Sequence, residues 1–337
     1  MKIVQQTVPV DITNIKEFLD LLAQSAFIDI ETTGLGHFHK LVIVGMVRLL
    51  PNYKAEVTQF FNDDGKSERE LLQALIDYLK KTGVNILLSY NGDAFDLPFL
   101  NARLVKHHFS FTLNKQLNID ILKIARQNKA LFGNAKLNLK HIESYLGIAR
   151  TDTISGKESV ELYRHYLTLK LAAHPIIEEL EALEYVILHH NFDDLVNMLP
   201  LTALLKFGKN IPFTSDLHHQ IMAHHAIWYL TVIDLTGSNL VLQFDTHGFE
   251  LTPDIEKNDL GIRFAKTGFR LSITADIVTL DGPQGKLIML NTLRIFNKDI
   301  MMLSDNEKYQ YVLKVEDQWL TEHLTSFIQY CFDTYAR

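Results

Sequence analysis

Residues 25–31, Ser-Ala-Phe-Ile-Asp-Ile-Glu, read as an apolar β-strand carrying two acids two positions apart, Asp29 and Glu31. Side chains at i and i+2 of a strand share a face. The two carboxylates therefore stand side by side, with Phe27, Ile28 and Ile30 as apolar neighbours. At the end of a buried strand such a pair repels itself and loses hydration unless cations or protons neutralise it. Oxygen donors of this kind favour hard ions such as Mg²⁺ or Mn²⁺. The plainer alternative is an exposed strand bearing two solvated acids. Thr32, Thr33 and Gly34 follow as a polar turn that another backbone can approach closely.

The runs at 41–49 (LVIVGMVRL) and 55–61 (AEVTQFF) follow 25–31 across short gaps, which predicts an antiparallel meander. The spacing of Leu71, Leu72, Leu75, Ile76 and Leu79 predicts a helix, opened by Ser67 and Glu70 as a capping box and closed on Gly83. A short apolar strand at 84–90 and a helix from about Asp93 to His107 come next. This order predicts an α/β fold with helices packed on a mixed sheet. From residue 117 the pattern is helical, ending in a long segment from about Pro175 to Leu204. FGKNIPFTSD breaks that regime. Beyond it IWYLTVIDL, GSNLVLQFD, FRLSITADIVTLDG and KLIMLNTLRIF read as strands, with a closing helix at about 316–335. The expected division is 1–205 for the α/β domain and 206–337 for a smaller, β-rich α+β domain, consistent with a length of 337 residues.

Two more segments carry acids in suggestive places. LLSYNGDAFDLPFL (87–100) leaves a strand and opens a helix, a common position for ligands. Asp93 reads there as a helix cap and Asp96 lies one turn in, while Asn91 can bond backbone or substrate. Both aspartates can equally be ordinary helix-start acids. In LEYVILHHNFDDLVNM (183–198), His190 and Asp194 are i, i+4 neighbours on one helix face, and His189 stands five before Asp194. An acid and a histidine so placed can serve as metal ligand and general base, or can simply belong to a solvated face.

Together the three segments resemble the DEDD exonucleases of the RNase H-like (DnaQ-like) superfamily, and among them the YprB-type RNase H-like domains. The first motif stands as Asp29-Ile30-Glu31-Thr32-Thr33-Gly34, the second as Tyr90-Asn91 and Phe95-Asp96-Leu97-Pro98, and the last ends on Asp194. Stretches 136–148 and 155–167 are also similar to the helical part of the YprB-type group, so the resemblance spans about 24–204. It implies that Asp29, Glu31, Asp96 and Asp194 hold two Mg²⁺ or Mn²⁺ ions. Thr32, Thr33, Gly34 and Asn91 would meet a single-stranded 3′ end, and the activity would be 3′-5′ exonuclease cleavage by a two-metal mechanism. The family places its general base as Tyr four before the last Asp or as His five before it. This chain has histidine at both, so His189 is expected as the base and His190 is a near-equal candidate.

A net charge of -7 speaks against a strong non-specific nucleic-acid binder. It does not speak against a nuclease, because a carboxylate site lowers the charge and bound cations restore it locally. The 47% hydrophobic content supplies one or two cores, and a single cysteine, Cys331, excludes an internal disulfide framework. With neither a signal peptide nor a long apolar run, the chain is expected to be cytoplasmic and to have no membrane partner. Residues 205–337 hold 12 Lys and Arg against 16 Asp and Glu, so this part is no basic clamp. Its expected role is a homodimer or protein contact, or substrate gating. Phe213, Trp228, Tyr229 and Trp319 can stack on bases, but most are expected in the core. The histidine-rich stretch 217–230 lacks nearby acids and is not expected to bind metal. Two other functions remain open at this level: a structure-selective endonuclease on the same fold, and an inactive binding or scaffold module. Retention of four acids and a histidine speaks against the second.

Overall fold

The computed structural model describes residues 1–36, 38–133, 136–152, 154–208, 220–223, 226–249, 254–283 and 285–336. The chain divides into two compact units, Met1–Ile211 and Pro212–Arg337.

In the first unit, β1 (Lys2–Pro9), β2 (Ser25–Thr32), β3 (Leu41–Leu49), β4 (Lys54–Phe61), β5 (Ile86–Ser89) and β6 (Asn118–Asp120) form one sheet in the order β1-β4-β3-β2-β5-β6. Pairing is antiparallel from β1 through β2, which realises the meander, and parallel for β2-β5 and β5-β6. The architecture is an α/β fold, a mixed sheet flanked by helices, followed by a separate antiparallel β-rich region. Two strands of the first sheet escaped the sequence pattern. β1 is a mostly exposed edge strand with weak alternation, and β6 is only three residues long.

The helices are α1 (Leu19–Ala23), α2 (Glu68–Thr82), α3 (Asp96–Lys106), α4 (Ile121–Gln127), α5 (Leu139–Tyr145), α6 (Gly156–Lys170) and α7 (Ile177–Met198). Ile28, Ile30, Val44 and Met46 bury one sheet face with Leu71, Leu75, Phe99 and Leu100 of α2 and α3. Val42, Ile43 and Phe61 pack with Tyr163, Tyr166 and Ile187 of α6 and α7. The alternation of β2 thus sends Ile28 and Ile30 toward α2 and α3, and Asp29 and Glu31 toward α7.

Two local expectations are corrected. The Ser67/Glu70 capping box does not form. Asp64 instead accepts the Lys66 and Ser67 N–H groups and the Ser67 hydroxyl, each at 2.8 Å. Asp64 thereby takes the Ser67 N–H that Glu70 would have bonded, and the Ser67 hydroxyl donates to Asp64 instead of accepting the Glu70 N–H. Helix α3 starts at Asp96 rather than Asp93, because Asn91 turns the chain through φ +73° first. At the other end of α2, Gly83 takes φ +69°, as expected of a helix C-terminus.

The second unit is an antiparallel sheet whose longest strands are β8 (Ala226–Thr236), β9 (Asn239–Asp245) and β12 (Arg270–Gly282), joined by β7 (Gln220–Ala223), β10 (Ile255–Asp259), β11 (Ile262–Thr267), β13 (Gly285–Leu290), β14 (Val312–Val315) and β15 (Gln318–Trp319). The closing helix α8, Thr321–Tyr335, packs Leu324, Ile328 and Phe332 against Trp228, Phe244 and Phe264. The run KLIMLNTLRIF is strand only to Leu290, since the Asn291 side chain caps a short helix at Thr292–Phe296. Trp228 and Tyr229 are fully buried core residues, and Trp319 packs against the same core. Phe213, His218, His219, His224 and His225 lie outside the described residues. Among the described residues no helix is long and apolar enough to cross a membrane.

Candidate metal and catalytic site

Strand β2 delivers Asp29 and Glu31, the first residue of α3 delivers Asp96, and α7 delivers His190 and Asp194. All five line one cavity of about 960 Å³ in the first unit. Thr32, Thr33, Gly34 and Asn91 line it as well. Asp96 is fixed to β2 by the Ile30 N–H, which donates to Oδ1 at 3.1 Å. Asp93 has other partners: Asn118 Nδ2 donates to it at 2.7 Å and Lys123 forms an ion pair with it. Asn91 donates its N–H to Asp120 Oδ1 at 2.9 Å, which holds the turn between β5 and α3.

Close approach of α7 to the sheet depends on a glycine. Asp29, Gly45 and Gln59 lie in one row across β2, β3 and β4. A Cβ on Gly45 would sit 2.4 Å from Asn191 Oδ1 and 2.5 Å from a Leu195 methyl. In the space left by that missing carbon, Asn191 Nδ2 donates to Asp29 Oδ2 at 2.8 Å and its Oδ1 accepts from Gln59 Nε2 at 2.9 Å. Gln59 is held in turn by the Leu188 carbonyl at 2.8 Å.

His190 is buried, with Nδ1 2.8 Å from Asp152 Oδ2. Its Nε2 faces Glu31 Oε1 at 3.4 Å and Asp194 Oδ2 at 3.9 Å. Arg150 completes the surroundings. One of its nitrogens lies against both Glu143 oxygens at 2.8 and 2.9 Å, and the other meets Asp152 at 3.2 Å and pairs with Asp194 Oδ1. His189 occupies a different place. Its ring stacks between Tyr185 and Phe192, at centroid distances of 5.4 and 6.2 Å, and its Nε2 meets the Thr151 hydroxyl at 3.0 Å. Asp193, next to the expected ligand, accepts the N–H groups of Thr151 and Asp152 at 2.8 Å and so anchors the loop that carries Arg150 and Asp152.

Burial, reinforced for Asp29 and Glu31 by neighbouring carboxylates, disfavours the charged form of Asp29, Glu31 and Asp96. Asp29 is raised well above the usual carboxylate range by burial and then by Asp194, Asp96 and Glu31, with the Asn191 hydrogen bond opposing. Burial pushes Glu31 up to about 7, partly offset by His190. Burial also pushes Asp96 up to about 7, against the hydrogen bonds it accepts from backbone N–H groups. Asp152 moves the other way: burial raises it, but the hydrogen bond from His190 and neighbouring donors bring it below its ordinary value. Glu31, His190 and Asp194 each present a ligand atom within 4.8 Å of the other two. With Asp29 and Asp96 on the same wall, this donor set of carboxylate oxygens plus one imidazole fits divalent cations.

Sequence reasoning singled out the four acids, both histidines and the polar turn, and missed Asn191 as a partner of Asp29, together with Arg150, Asp152, Glu143 and Gln59. Gly45 was the available signal, since glycine inside a strand marks close approach of another element. The loop residues Arg150 and Asp152 have no periodicity that would have exposed them.

Among solved structures, the chain is similar to a family B DNA polymerase from the hyperthermophilic archaeon Pyrobaculum calidifontis, at 14% identity and a TM-score of 0.39. That similarity covers 66% of this chain and 34% of the polymerase, so the chain spans about a third of that protein's length. No curated protein sequence matches. The RNase_H_2 family profile, described as RNase_H superfamily, matches residues 26–206, more than half of the chain and the whole span that carries the acids, and the chain therefore belongs to the RNase H superfamily.

Proposed function

We propose that the protein is a metal-dependent nuclease that hydrolyses phosphodiester bonds of nucleic acid from a single-stranded 3′ end, releasing nucleoside monophosphates. The observation that carries this reading is the convergence of Asp29, Glu31, Asp96 and Asp194, from three separate elements, on one cavity wall where burial disfavours the charge of the first three. In this reading the four acids hold two Mg²⁺ or Mn²⁺ ions. Bound cations would supply an acidified water and a counter-charge for the leaving oxygen. The chain's own residues do the positioning. Asn191 and the Ile30 N–H fix the rotamers of Asp29 and Asp96, and Arg150 orients Asp194 through Oδ1. Thr32, Thr33, Gly34 and Asn91 line the space beside the acids and would receive the strand end. Any histidine acting here, as proton acceptor or as ligand, is His190 rather than His189, because only His190 turns a ring nitrogen toward Glu31 and Asp194.

The test is incubation of the purified chain with end-labelled single-stranded DNA and RNA in Mg²⁺, in Mn²⁺ and in EDTA. Mononucleotide release that requires the cation is the expected result. Cuts inside a circular substrate would replace the exonuclease reading with an endonuclease. Binding without turnover in either cation would make the domain a binding module and overturn the proposal.

A further inference from the structure

His190 Nδ1 lies 2.8 Å from Asp152 Oδ2, at hydrogen-bond distance. A carboxylate only accepts, so a proton belongs on Nδ1, which leaves Nε2 as the ring atom whose lone pair a cation would use. That lone pair looks at Glu31 Oε1 and Asp194 Oδ2, at 3.4 and 3.9 Å. Neither separation is a charge-assisted hydrogen bond, which would be about 2.7–2.9 Å. Nε2 and the two carboxylate oxygens thus converge without a short hydrogen bond between the ring and either acid, in a site where His190 is 4% exposed and Glu31 9% exposed. A cation bound at about 2.0–2.2 Å from each donor sets neighbouring donors roughly 3 Å apart or slightly more, close to the Nε2–Glu31 separation. Arg150 occupies Oδ1 of Asp194, so Oδ2 is the oxygen turned to the shared space. The surroundings of the ring follow an arrangement that recurs at metal-bound histidines, in which a carboxylate accepts from one imidazole nitrogen while the other binds metal.

We propose that His190 is itself a metal ligand: Nε2, Glu31 and Asp194 hold one cation, Asp152 fixes the ring for it, and this position takes Mn²⁺ in preference to Mg²⁺. The preference follows from rigidity and donor type, since Mg²⁺ demands near-ideal all-oxygen octahedral surroundings and dehydrates reluctantly, so that an imidazole nitrogen costs it more than it costs Mn²⁺. The inference rests on the nuclease reading only in requiring a cation at this cavity. With Nε2 committed to a cation, His190 is not the proton acceptor, and activation of water falls to the cations.

Pulsed electron paramagnetic resonance on the full chain loaded with Mn²⁺, without nucleic acid, reads this directly. The expected spectrum shows modulation from a coordinated imidazole nitrogen, present in the wild type and in His189→Gln and lost in His190→Gln. Calorimetric titrations should show Mn²⁺ bound more tightly than Mg²⁺. Mn²⁺ affinity should fall about 10–100-fold in Asp152→Ala and at least as far in His190→Gln, with a smaller change for Mg²⁺. Wild-type protein that binds no Mn²⁺, or binds it without nitrogen modulation, overturns the proposal with no variant needed. Equal losses for both cations in His190→Gln overturn the stated preference. The strand-release assay separates the two claims. Nitrogen ligation without cleavage removes the nuclease reading and leaves the ligand, whereas cleavage without nitrogen ligation does the reverse.

Discussion

Glu31 and Asp96, both pushed up to about 7 by burial, bind protons more tightly in the folded chain than in the unfolded one, where such groups titrate near 4. The folded state then takes up more protons, so these residues add stability fully below about pH 4. That contribution is lost as pH rises through 7. Metal-free Asp96→Asn should therefore melt at or above the wild type at pH 8, with the difference shrinking at pH 5. A large drop in its melting temperature at pH 8 would show that Asp96 is structural. The paired histidines give a second test at this scale. His190→Ala should lower the cleavage rate by at least about 10²-fold, on the scale of disrupted metal surroundings. His189→Ala should keep a rate near that of the wild type and lose about 0.5–1.5 kcal/mol of stability with its ring stacking. Steady-state rates and urea melts of both variants check the pair, and the reverse order of rates would return the role to His189.

Helix α7 reaches the acid pair because β3 carries no side chain at position 45. A Cβ there would overlap Asn191 and Leu195, so Gly45→Ala must push α7 outward or turn Asn191 away from Asp29. Overpacking of this kind costs about 1–3 kcal/mol. A shift of about 1 Å in a catalytic group can lower a rate by roughly 10²-fold. The expected outcome is a folded variant with a lower denaturation midpoint and a cleavage rate reduced at least tenfold. A variant that loses stability but cleaves normally would show that the Asn191–Asp29 hydrogen bond positions nothing.

For the molecule as a whole, repulsion within the acid cluster adds to a net charge already at -7. A cation that binds only the folded chain stabilises it by mass action, by about 2.7 kcal/mol at a hundredfold excess over the dissociation constant. Mn²⁺ should accordingly raise the melting temperature of the wild type, and the rise should nearly vanish in Asp29→Asn. Differential scanning calorimetry with and without Mn²⁺ measures both. An equal rise in the two proteins would mean that the cation binds elsewhere.

Local pattern was enough wherever the information lay along one element. The acids of β2, the meander, the Gly83 terminus and the helices around Asp194 follow from side-chain periodicity and turn chemistry, which neighbours in the chain determine. The choice between His189 and His190 was not of that kind. Consecutive helical residues point about 100° apart, and only the seating of α7 over Gly45 decides which of them faces Glu31. Arg150 and Asp152 sit in a loop whose course is held by Asp193, forty-odd residues onward in sequence, so their meeting with Asp194 and His190 exists only in three dimensions. The edge strand β1 and the three-residue β6 likewise lack a pattern of their own and become strands because β4 and β5 offer them unpaired backbone groups. Sequence determined which side chains could bind a cation; tertiary packing decided which of them stand together, because that depends on contacts between elements that no local spacing encodes.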